Sequence, residues 1–219
     1  VTRLLDRSIQ VEDQGRGCPV DWNEKGQKYN WGLVFCELYA GGKYGGGGDN
    51  YEYSLGLNGL GSCATQYASA YCDAGIHRDG FEYTRHYEKG ENVGGLKKEP
   101  YSGKKTGSRF RWKPDLDVFT DINIPVEYYT DVLKRQAVVN ANVTFRLRIE
   151  GQDGVFSEEE FCYPKGIEDY VMEKVGHDYL TEPFFIQADR RGRDRDDLPD
   201  YNVKITACLC FSRTFQMQE

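Results

Sequence analysis

Three glycines in the stretch YSLGLNGLGSCATQYASAYC have the spacing of a phosphate-binding loop. Gly56, Gly59 and Gly61 form the pattern G-x-x-G-x-G, and an alanine-rich stretch that predicts a helix follows at once. The first turn of a helix carries unpaired N–H groups and a partial positive charge, and glycine lets the backbone approach an anion closely. The pattern therefore predicts a loop that binds a phosphate chain, although a turn that only needs positive φ angles would favour the same residues.

A second motif, VEDQGRGCPVD, ends a predicted strand with a carboxylate. Asp13 is followed by Gly15 and Gly17, which leave room beside it. A carboxylate at the bottom of a pocket accepts a hydrogen bond from the exocyclic amine of adenine, whereas guanine presents a carbonyl oxygen there and is repelled. The motif predicts a purine-selective site, and a turn aspartate that only binds neighbouring backbone amides remains the alternative.

The third motif, KTGSRFRW, places a hydroxyl on another predicted strand. Ser108 is expected to hydrogen-bond Asp13 or a water molecule beside the base. Alone, Thr106-Gly107-Ser108 indicates nothing. Taken together and in this order, the three motifs predict a nucleotide site made from a carboxylate, a phosphate loop and a hydroxyl.

A mixture of helices and strands must position these motifs. Alternating apolar and polar residues predict strands over 7–13, 106–115, 183–189 and 201–215, and hairpins over 74–90 and 142–163. Helical patterns cover 31–40, 63–72, 125–140 and 167–176. Six of the eight residues from 41 to 48 are glycine, which predicts a mobile loop over 41–54. Because hairpins dominate the middle of the chain, we expect an α+β sandwich with an antiparallel-rich sheet and helices on one face.

Composition and charge exclude several classes of protein. The 219 residues carry a net charge of −7, which does not suit a surface that grips the phosphate backbone of DNA. No apolar run approaches the roughly 20 residues that cross a bilayer, and no signal peptide is recognisable. The seven cysteines include no C-x-x-C pair and no further ligands at a metal-binding spacing, so we expect reduced thiols in a cytoplasmic protein.

The ordered motifs D-x-G-x-G, G-x-x-G-x-G and T-G-S resemble those of the GHKL ATPases, which share the Bergerat nucleotide-binding fold. Within that superfamily, the stretches VEDQGRGCPVD, LYAGGKYG, YSLGLNGLG, RDGFEYTRHYEKG and TGSRFRWKPDLDVF resemble the B subunits of DNA gyrase and bacterial topoisomerase IV. The AGGKY element is typical of these subunits. The resemblance covers essentially the whole chain, and it does not separate gyrase from topoisomerase IV.

The resemblance implies a role for individual residues of this chain. Asp13 would bind the adenine amine, Lys43 would lie in a lid near the phosphates over about 40–54, and Ser108 would keep the hydroxyl of the usual threonine. The residues implied to bind ATP are Asp13, Gly15, Gly17, Pro19, Lys43, Gly56, Leu57, Asn58, Gly59, Leu60, Gly61, Ser62 and Ser108. Arg16, Cys18 and Arg78 would form the edge of the pocket, and Arg78 matches an arginine that coumarin-type inhibitors use in the family.

The resemblance also implies a division into domains and a limit on catalysis. Residues 1–164 would form the ATP-binding domain without its N-terminal helix, and residues 165–219 would begin the transducer domain. In the family, the general-base glutamate and the Mg²⁺-binding asparagine lie on a helix upstream of the first strand, and a γ-phosphate lysine comes from further into the transducer domain. We therefore expect the parent enzyme to hydrolyse ATP with Mg²⁺ and this chain to contain no catalytic residue and no metal ligand.

The expected partners follow from the same resemblance. Two copies of the ATPase region would dimerise as a gate that captures a DNA segment. A separate topoisomerase A subunit would cleave the duplex through which that segment passes, and the enzyme would lie in the bacterial cytoplasm near the nucleoid. Two alternatives remain open: a non-catalytic module that binds nucleotide for regulation, or another class of GHKL ATPase.

Overall fold

The computed structural model describes residues 1–24, 26–39, 60–193, 195–197 and 200–213. Twelve strands and four helices lie in this part of the chain. In order they are β1 (Thr2–Arg3), β2 (Ile9–Glu12), β3 (Trp22–Asn23), β4 (Lys28–Tyr29), α1 (Asn30–Cys36), α2 (Gly61–Tyr67), β5 (Ser69–Arg78), β6 (Phe81–Glu88), β7 (Glu91–Pro100), β8 (Gly107–Pro114), α3 (Val126–Val139), β9 (Phe145–Glu150), β10 (Phe156–Phe161), α4 (Ile167–Val175), β11 (Phe184–Gly192) and β12 (Tyr201–Leu209).

The chain divides into two compact units whose bounds differ from the domains expected from the sequence. The first unit contains residues 1–124 and 148–158, and the second contains residues 125–147 and 159–219. A domain boundary between residues 164 and 165 stays a prediction. None of the helices in the described residues is long and apolar enough to cross a membrane.

An eight-stranded mixed sheet forms the frame of the first unit. Its strand order is β10-β9-β1-β2-β8-β5-β6-β7, and residues 148–158 contribute the parts of β9 and β10 that belong to this unit. The pairs β1–β2, β2–β8, β5–β8, β5–β6 and β6–β7 are antiparallel, whereas β1–β9 is parallel. The expected α+β class and the antiparallel-rich sheet are therefore confirmed.

Side-chain alternation divides this sheet into a covered and an open face. On β5, Cys72 and Ala74 are buried and pack with Phe35 of α1, so this side is called the inner face. Helix α2 packs against α1 and against β5 and β8. Asp73 and Gly75 alternate with these buried residues and therefore lie on the opposite side, the outer face.

The hairpin between β5 and β6 turns where the sequence predicts. Asp79 has a φ of 53° and Gly80 a φ of 79°, both in the left-handed region. Two successive residues of this kind match the twist of the flanking strands. The register that follows pairs Arg78 with Phe81. The hairpin is confirmed, as are strand β8, which ends at Pro114, and helix α3, whose N-cap is Pro125.

Three sequence predictions of element bounds are wrong. The helix expected over 63–72 ends at Tyr67, and β5 begins two residues later at Ser69 because the next apolar residues alternate along a strand. The helix expected over 31–40 ends at Cys36. The long strand expected over 201–215 ends at Leu209, so Cys210 lies beyond it and does not share a strand face with Cys208.

The second unit is built from α3, α4 and the hairpin of β11 and β12. Leu133 and Ala137 of α3 are buried, and α3 packs against α4. Lys134 of α3 and the Tyr163 hydroxyl both donate hydrogen bonds to Glu173 of α4. The predicted helix 167–176 is confirmed, and the last two predicted strands pair antiparallel as β11 and β12.

Candidate functional site

Asp13 lies just after β2, and its carboxylate makes a local turn contact. Its Oδ1 accepts a hydrogen bond from the backbone N of Gly15 over 2.7 Å. Asp13 lines a cavity of about 200 Å³, but its side chain is exposed, so the expectation that this carboxylate lies buried at the bottom of a pocket is wrong. The reason is that the chain turns away from the sheet directly after Asp13, and in such a turn a short carboxylate binds the amide two residues on. The second carboxylate oxygen makes no hydrogen bond with any described residue.

The strand that carries Ser108 lies directly beside Asp13. The backbone N of Asp13 donates to the backbone O of Ser108 over 2.9 Å, which extends the pairing of β2 with β8 by one residue. Gly107 has a φ of 145°, and a Cβ there would overlap the carbonyl oxygen of Asp13. The glycine of the Thr-Gly-Ser motif is therefore required by the close approach of two backbones.

Ser108 also joins this strand to the glycine-containing loop. Its Oγ accepts a hydrogen bond from the backbone N of Cys18 over 2.8 Å, and Ser108 is buried. The sequence predicted a contact with Asp13 or a water; the side chain contacts Cys18, and only the backbone of Ser108 contacts Asp13. Thr106 adds a second link, because its Oγ1 donates to the backbone O of Gly15 over 2.7 Å.

Gly17 lets the loop pass close to β5. Its φ is 81°, and an added Cβ would lie 3.0 Å from the backbone O of His77 and 3.1 Å from Cγ2 of Ile76. Arg78 also holds this point, since its Nη1 donates to the backbone O of Gly17 over 3.2 Å and its Nε contacts Asp79. The predicted edge residue Arg78 is thus beside the predicted pocket residue Gly17.

An apolar wall lies beneath this loop, and of its members only Cys18 was predicted from the sequence as a site residue. Val20, Ile76 and Tyr83 are buried together, with Cys18 and Phe81 packed against them. Ile76 on β5 and Phe81 and Tyr83 on β6 alternate with outer-face residues, and that pattern is the signal that would have found them. Val20 and Cys18 lie outside the strands. Burial raises the pKa of the Cys18 thiol to about 11, so this side chain behaves as a neutral apolar group.

The described part of the phosphate motif is the start of α2. Leu60 is the N-cap residue, and Gly61 and Ser62 open the helix. Because α2 packs against β8, this helix start belongs to the same unit and the same covered side as Ser108. The remaining predicted phosphate and lid residues, Lys43, Gly56, Leu57, Asn58 and Gly59, lie outside the described residues, as does the predicted mobile loop 41–54.

The structure thus brings Asp13, Gly15, Gly17 and Ser108 into one connected set. Cys18, Pro19 and Arg78 extend this set, because Arg78 binds Gly17 and the Cys18 Sγ lies 3.7 Å from the Pro19 backbone O. Arg16 lies in the same loop with an exposed side chain. Leu60, Gly61 and Ser62 do not line the cavity of about 200 Å³ that includes Asp13 and Ser108. Within the described residues, no group of three or more His, Cys, Asp or Glu side chains is placed to hold a metal ion.

Comparison with known proteins finds relatives over most of this chain. It is 35% identical over 168 residues to the DNA gyrase B subunit of Synechocystis sp., a match that covers 76% of this chain and 15% of that protein. It is also 35% identical to the DNA topoisomerase 4 B subunit of Escherichia coli (83% of this chain, 28% of that protein) and to the DNA gyrase B subunit of Staphylococcus epidermidis (90% and 30%). No family model matches the chain.

A solved structure shares the fold. The 43K ATPase domain of Thermus thermophilus gyrase B, solved in complex with an aminocoumarin, superposes with a TM-score of 0.67 at 24% identity, over 85% of this chain and 46% of that one. This likeness identifies the α+β architecture as that of the gyrase B ATPase domain. The chain spans less than a third of the length of the curated relatives named above. Over the part that it shares with them, the chain belongs to the family of the B subunits of DNA gyrase and topoisomerase IV.

Proposed function

We propose that this chain is the ATP-binding region of a type IIA DNA topoisomerase B subunit, of the gyrase or topoisomerase IV kind. The observation that carries the proposal is the direct backbone pairing of Asp13 with Ser108, which joins two motifs that lie 95 residues apart in the sequence. The relatives named above are gyrase and topoisomerase B subunits, and the solved neighbour is an ATPase domain, so the proposal extends from family membership to ligand and role.

In this proposal the base lies against the loop 13–20. The Asp13 oxygen that is not used by Gly15 accepts the exocyclic amine of adenine, and the Ser108 hydroxyl, which accepts from Cys18, still has its own hydrogen to donate to the base or to a water. The apolar wall of Val20, Ile76 and Tyr83 lies against this loop and would desolvate one face of a flat ring. Guanine would place a carbonyl oxygen against the carboxylate and bind more weakly.

The phosphates would extend from this loop to the start of α2. Backbone N–H groups of Leu60, Gly61 and Ser62, together with the glycines that precede them, would hold the phosphate chain. Mg²⁺ would neutralise phosphate charge in the complete enzyme. This chain's own contribution would be to bind and orient the nucleotide.

At the level of the whole protein, ATP binding would close a dimer of B subunits around DNA and hydrolysis would reset it. A separate A subunit would cleave the DNA that the captured segment crosses. The acidic surface of this region fits such a role, because here nucleotide binding and dimerisation do not require a grip on DNA.

The decisive experiment replaces Asp13 and measures nucleotide affinity by calorimetry. Asp13→Asn removes one charge-assisted hydrogen bond and turns a donor toward the adenine amine, so ATP affinity should fall roughly 10–100-fold. Asp153→Asn is the matched control, because the Asp153 Oδ1 also accepts a backbone N–H two residues on, from Val155, and lies in another turn. Equal ATP affinities for the wild type and Asp13→Asn would refute the proposed role of Asp13.

A further inference from the structure

The outer face of the sheet has a large cavity that the proposed nucleotide site does not use. Its volume is about 660 Å³, within the range of ligand-binding clefts. The side chains that line it come from strands β2, β5, β6, β7 and β8, all in the first unit. Asp13, Gly17, Ser108 and the start of α2 do not line it.

The register of the strands places short residues in the middle of this cavity and cations at its sides. One row across the sheet runs Arg109, Gly75, Thr84, Lys97, as the pairings of β8 with β5, β5 with β6 and β6 with β7 give it. Gly75 and Thr84 form a shallow floor between the two long side chains. Three strand spacings separate the Cα atoms of Arg109 and Lys97, about 14 Å, which two extended cationic side chains bridge from opposite sides.

More cationic than anionic side chains line this cavity. Arg109 and Lys97 form no hydrogen bond or ion pair through their side chains with any residue that the structure describes. In the next row, the Asp73 carboxylate already has a partner, because its Oδ1 lies 2.6 Å from Nδ1 of His86. Arg111 adds a third cation, which contacts Asp6 and the Ser8 hydroxyl. The fourth, Arg85, is buried with its guanidinium over the ring of Trp31. The cavity therefore has an excess of positive charge in a chain whose net charge is −7.

A bulge in β7 opens one end of the same cavity. His86 pairs with Val93 and Thr84 with Lys97, so three residues of β7 stand opposite one residue of β6. Gly94 and Gly95 in this bulge have φ angles of 77° and 73°, and an added Cβ would meet open space at either position. Backbone conformation, not packing, demands glycine here, and such bulges recur beside functional sites.

We propose that this outer-face cavity binds a small molecule through a phosphate monoester group held between Arg109 and Lys97, with Arg111 beside it. A phosphate dianion balances two cations, and guanidinium groups bind phosphate through paired N–H donors. The ligand is a compact molecule and not a nucleic acid, because carboxylates surround the cations. Glu12 pairs in register with Arg109, and Glu82 and Glu88 flank the floor on β6, so a long polyanion would meet repulsion on both sides.

Ribose 5-phosphate, ribose and inorganic phosphate are the probes, each titrated into the ¹⁵N-labelled chain. Ribose 5-phosphate and inorganic phosphate should shift the backbone amides of Gly75, Gly94 and Gly95 and the ring signals of His86, whereas ribose should shift none of them. A stronger response to the sugar phosphate than to inorganic phosphate would assign the site to phosphorylated metabolites. A response to inorganic phosphate as strong as that to the sugar phosphate, or stronger, would overturn the assignment to a monoester.

Charge-neutral variants test the assignment to these side chains. Arg109→Gln and Lys97→Gln should each weaken ribose 5-phosphate binding roughly 10-fold or more. Lys113→Gln is the matched control, since Lys113 is on the same strand as Arg109 and does not line the cavity, and its effect should stay within about 3-fold. The proposal is overturned if Lys113→Gln weakens binding as much as Arg109→Gln, if ribose acts like its phosphate, or if a short DNA duplex shifts these amides and the sugar phosphate does not.

Discussion

The hydroxyl of Ser108 accepts a hydrogen bond from the backbone amide of Cys18, so a side chain on β8 holds the loop that follows β2. The two residues are 90 positions apart in the chain, and Ser108 is buried. A buried N–H without an acceptor is costly, which makes this contact a structural requirement of the loop as well as a part of the proposed nucleotide site.

Replacing Ser108 tests that requirement. Ser108→Ala leaves the Cys18 amide without its acceptor and should lower the free energy of unfolding by about 1–3 kcal/mol. Ser108→Thr keeps the hydroxyl and should recover most of the loss. Urea denaturation measures both, and an unfolding midpoint of Ser108→Ala equal to that of the wild type would contradict the account.

Gly107 should tolerate no side chain. Gly107→Ala drives a Cβ into the carbonyl oxygen of Asp13 at a φ of 145°, and it should destabilise the chain by roughly 1–3 kcal/mol. Gly32→Ala is the control, because this position is inside helix α1 with open space around it, and alanine there should be neutral or stabilise by about 0.5–1 kcal/mol. In thermal unfolding, the midpoint temperature of Gly107→Ala should therefore fall, and that of Gly32→Ala should rise or stay unchanged.

The pKa of His86 should depend on Asp73. The hydrogen bond to Asp73 raises the pKa of His86 above its ordinary value, although burial opposes this, and Glu88 contributes in the same direction as Asp73. Protonated His86 therefore stabilises the fold at low pH, fully below the unfolded-state pKa, and this stability is lost as pH rises through the higher folded-state pKa. Asp73→Asn should lower the pKa of His86, and Glu88→Gln should lower it less; NMR titration of the ring measures both. A pKa unchanged by Asp73→Asn would contradict the contact.

Thiol labelling should separate the cysteines by burial. Burial raises the pKa of Cys18 to about 11 and that of Cys72 to about 12, so at about pH 8 both thiols remain protonated and shielded from solvent. Cys162 is exposed. An alkylating reagent should modify Cys162 in the folded chain and reach Cys72 only after denaturation, as mass spectrometry of the digested protein would report. Modification of Cys72 at the rate of Cys162 would be inconsistent with this core.

Local sequence chemistry was enough to predict the hairpin of β5 and β6. Asp79-Gly80 supplies two residues that accept a left-handed backbone, and apolar and polar residues alternate on both sides of them. The turn and the two strands therefore predict the same hairpin. Strand β7 was missed for the opposite reason. It carries charged residues and the Gly94-Gly95 bulge, and as an edge strand it buries little, so no apolar alternation marks it.

The membership of the candidate site stays a prediction, whereas the contacts among its described residues are now known. The motifs named Asp13, Gly17 and Ser108, and the structure joins them. The spacing of residues in the sequence does not predict which atoms form hydrogen bonds. The expectation that Asp13 is buried was wrong because its carboxylate binds the Gly15 amide in the turn after β2. The outer-face cavity lay beyond sequence reasoning altogether, since it depends on the register that aligns Arg109 with Lys97 across β5 and β6.

The central claim is that the loop at Asp13 and the start of α2 bind opposite ends of one nucleotide. The direct measurement follows backbone amide signals in the ¹⁵N-labelled chain during titration with ATP and, separately, with adenosine. The account predicts that adenosine shifts the amide signals of Gly15 and Gly17 but not those of Gly61 and Ser62. ATP should shift the amide signals of all four residues with the same midpoint. If ATP shifts only one of the two groups, or shifts them with different midpoints, the two places do not share a ligand and the account is contradicted.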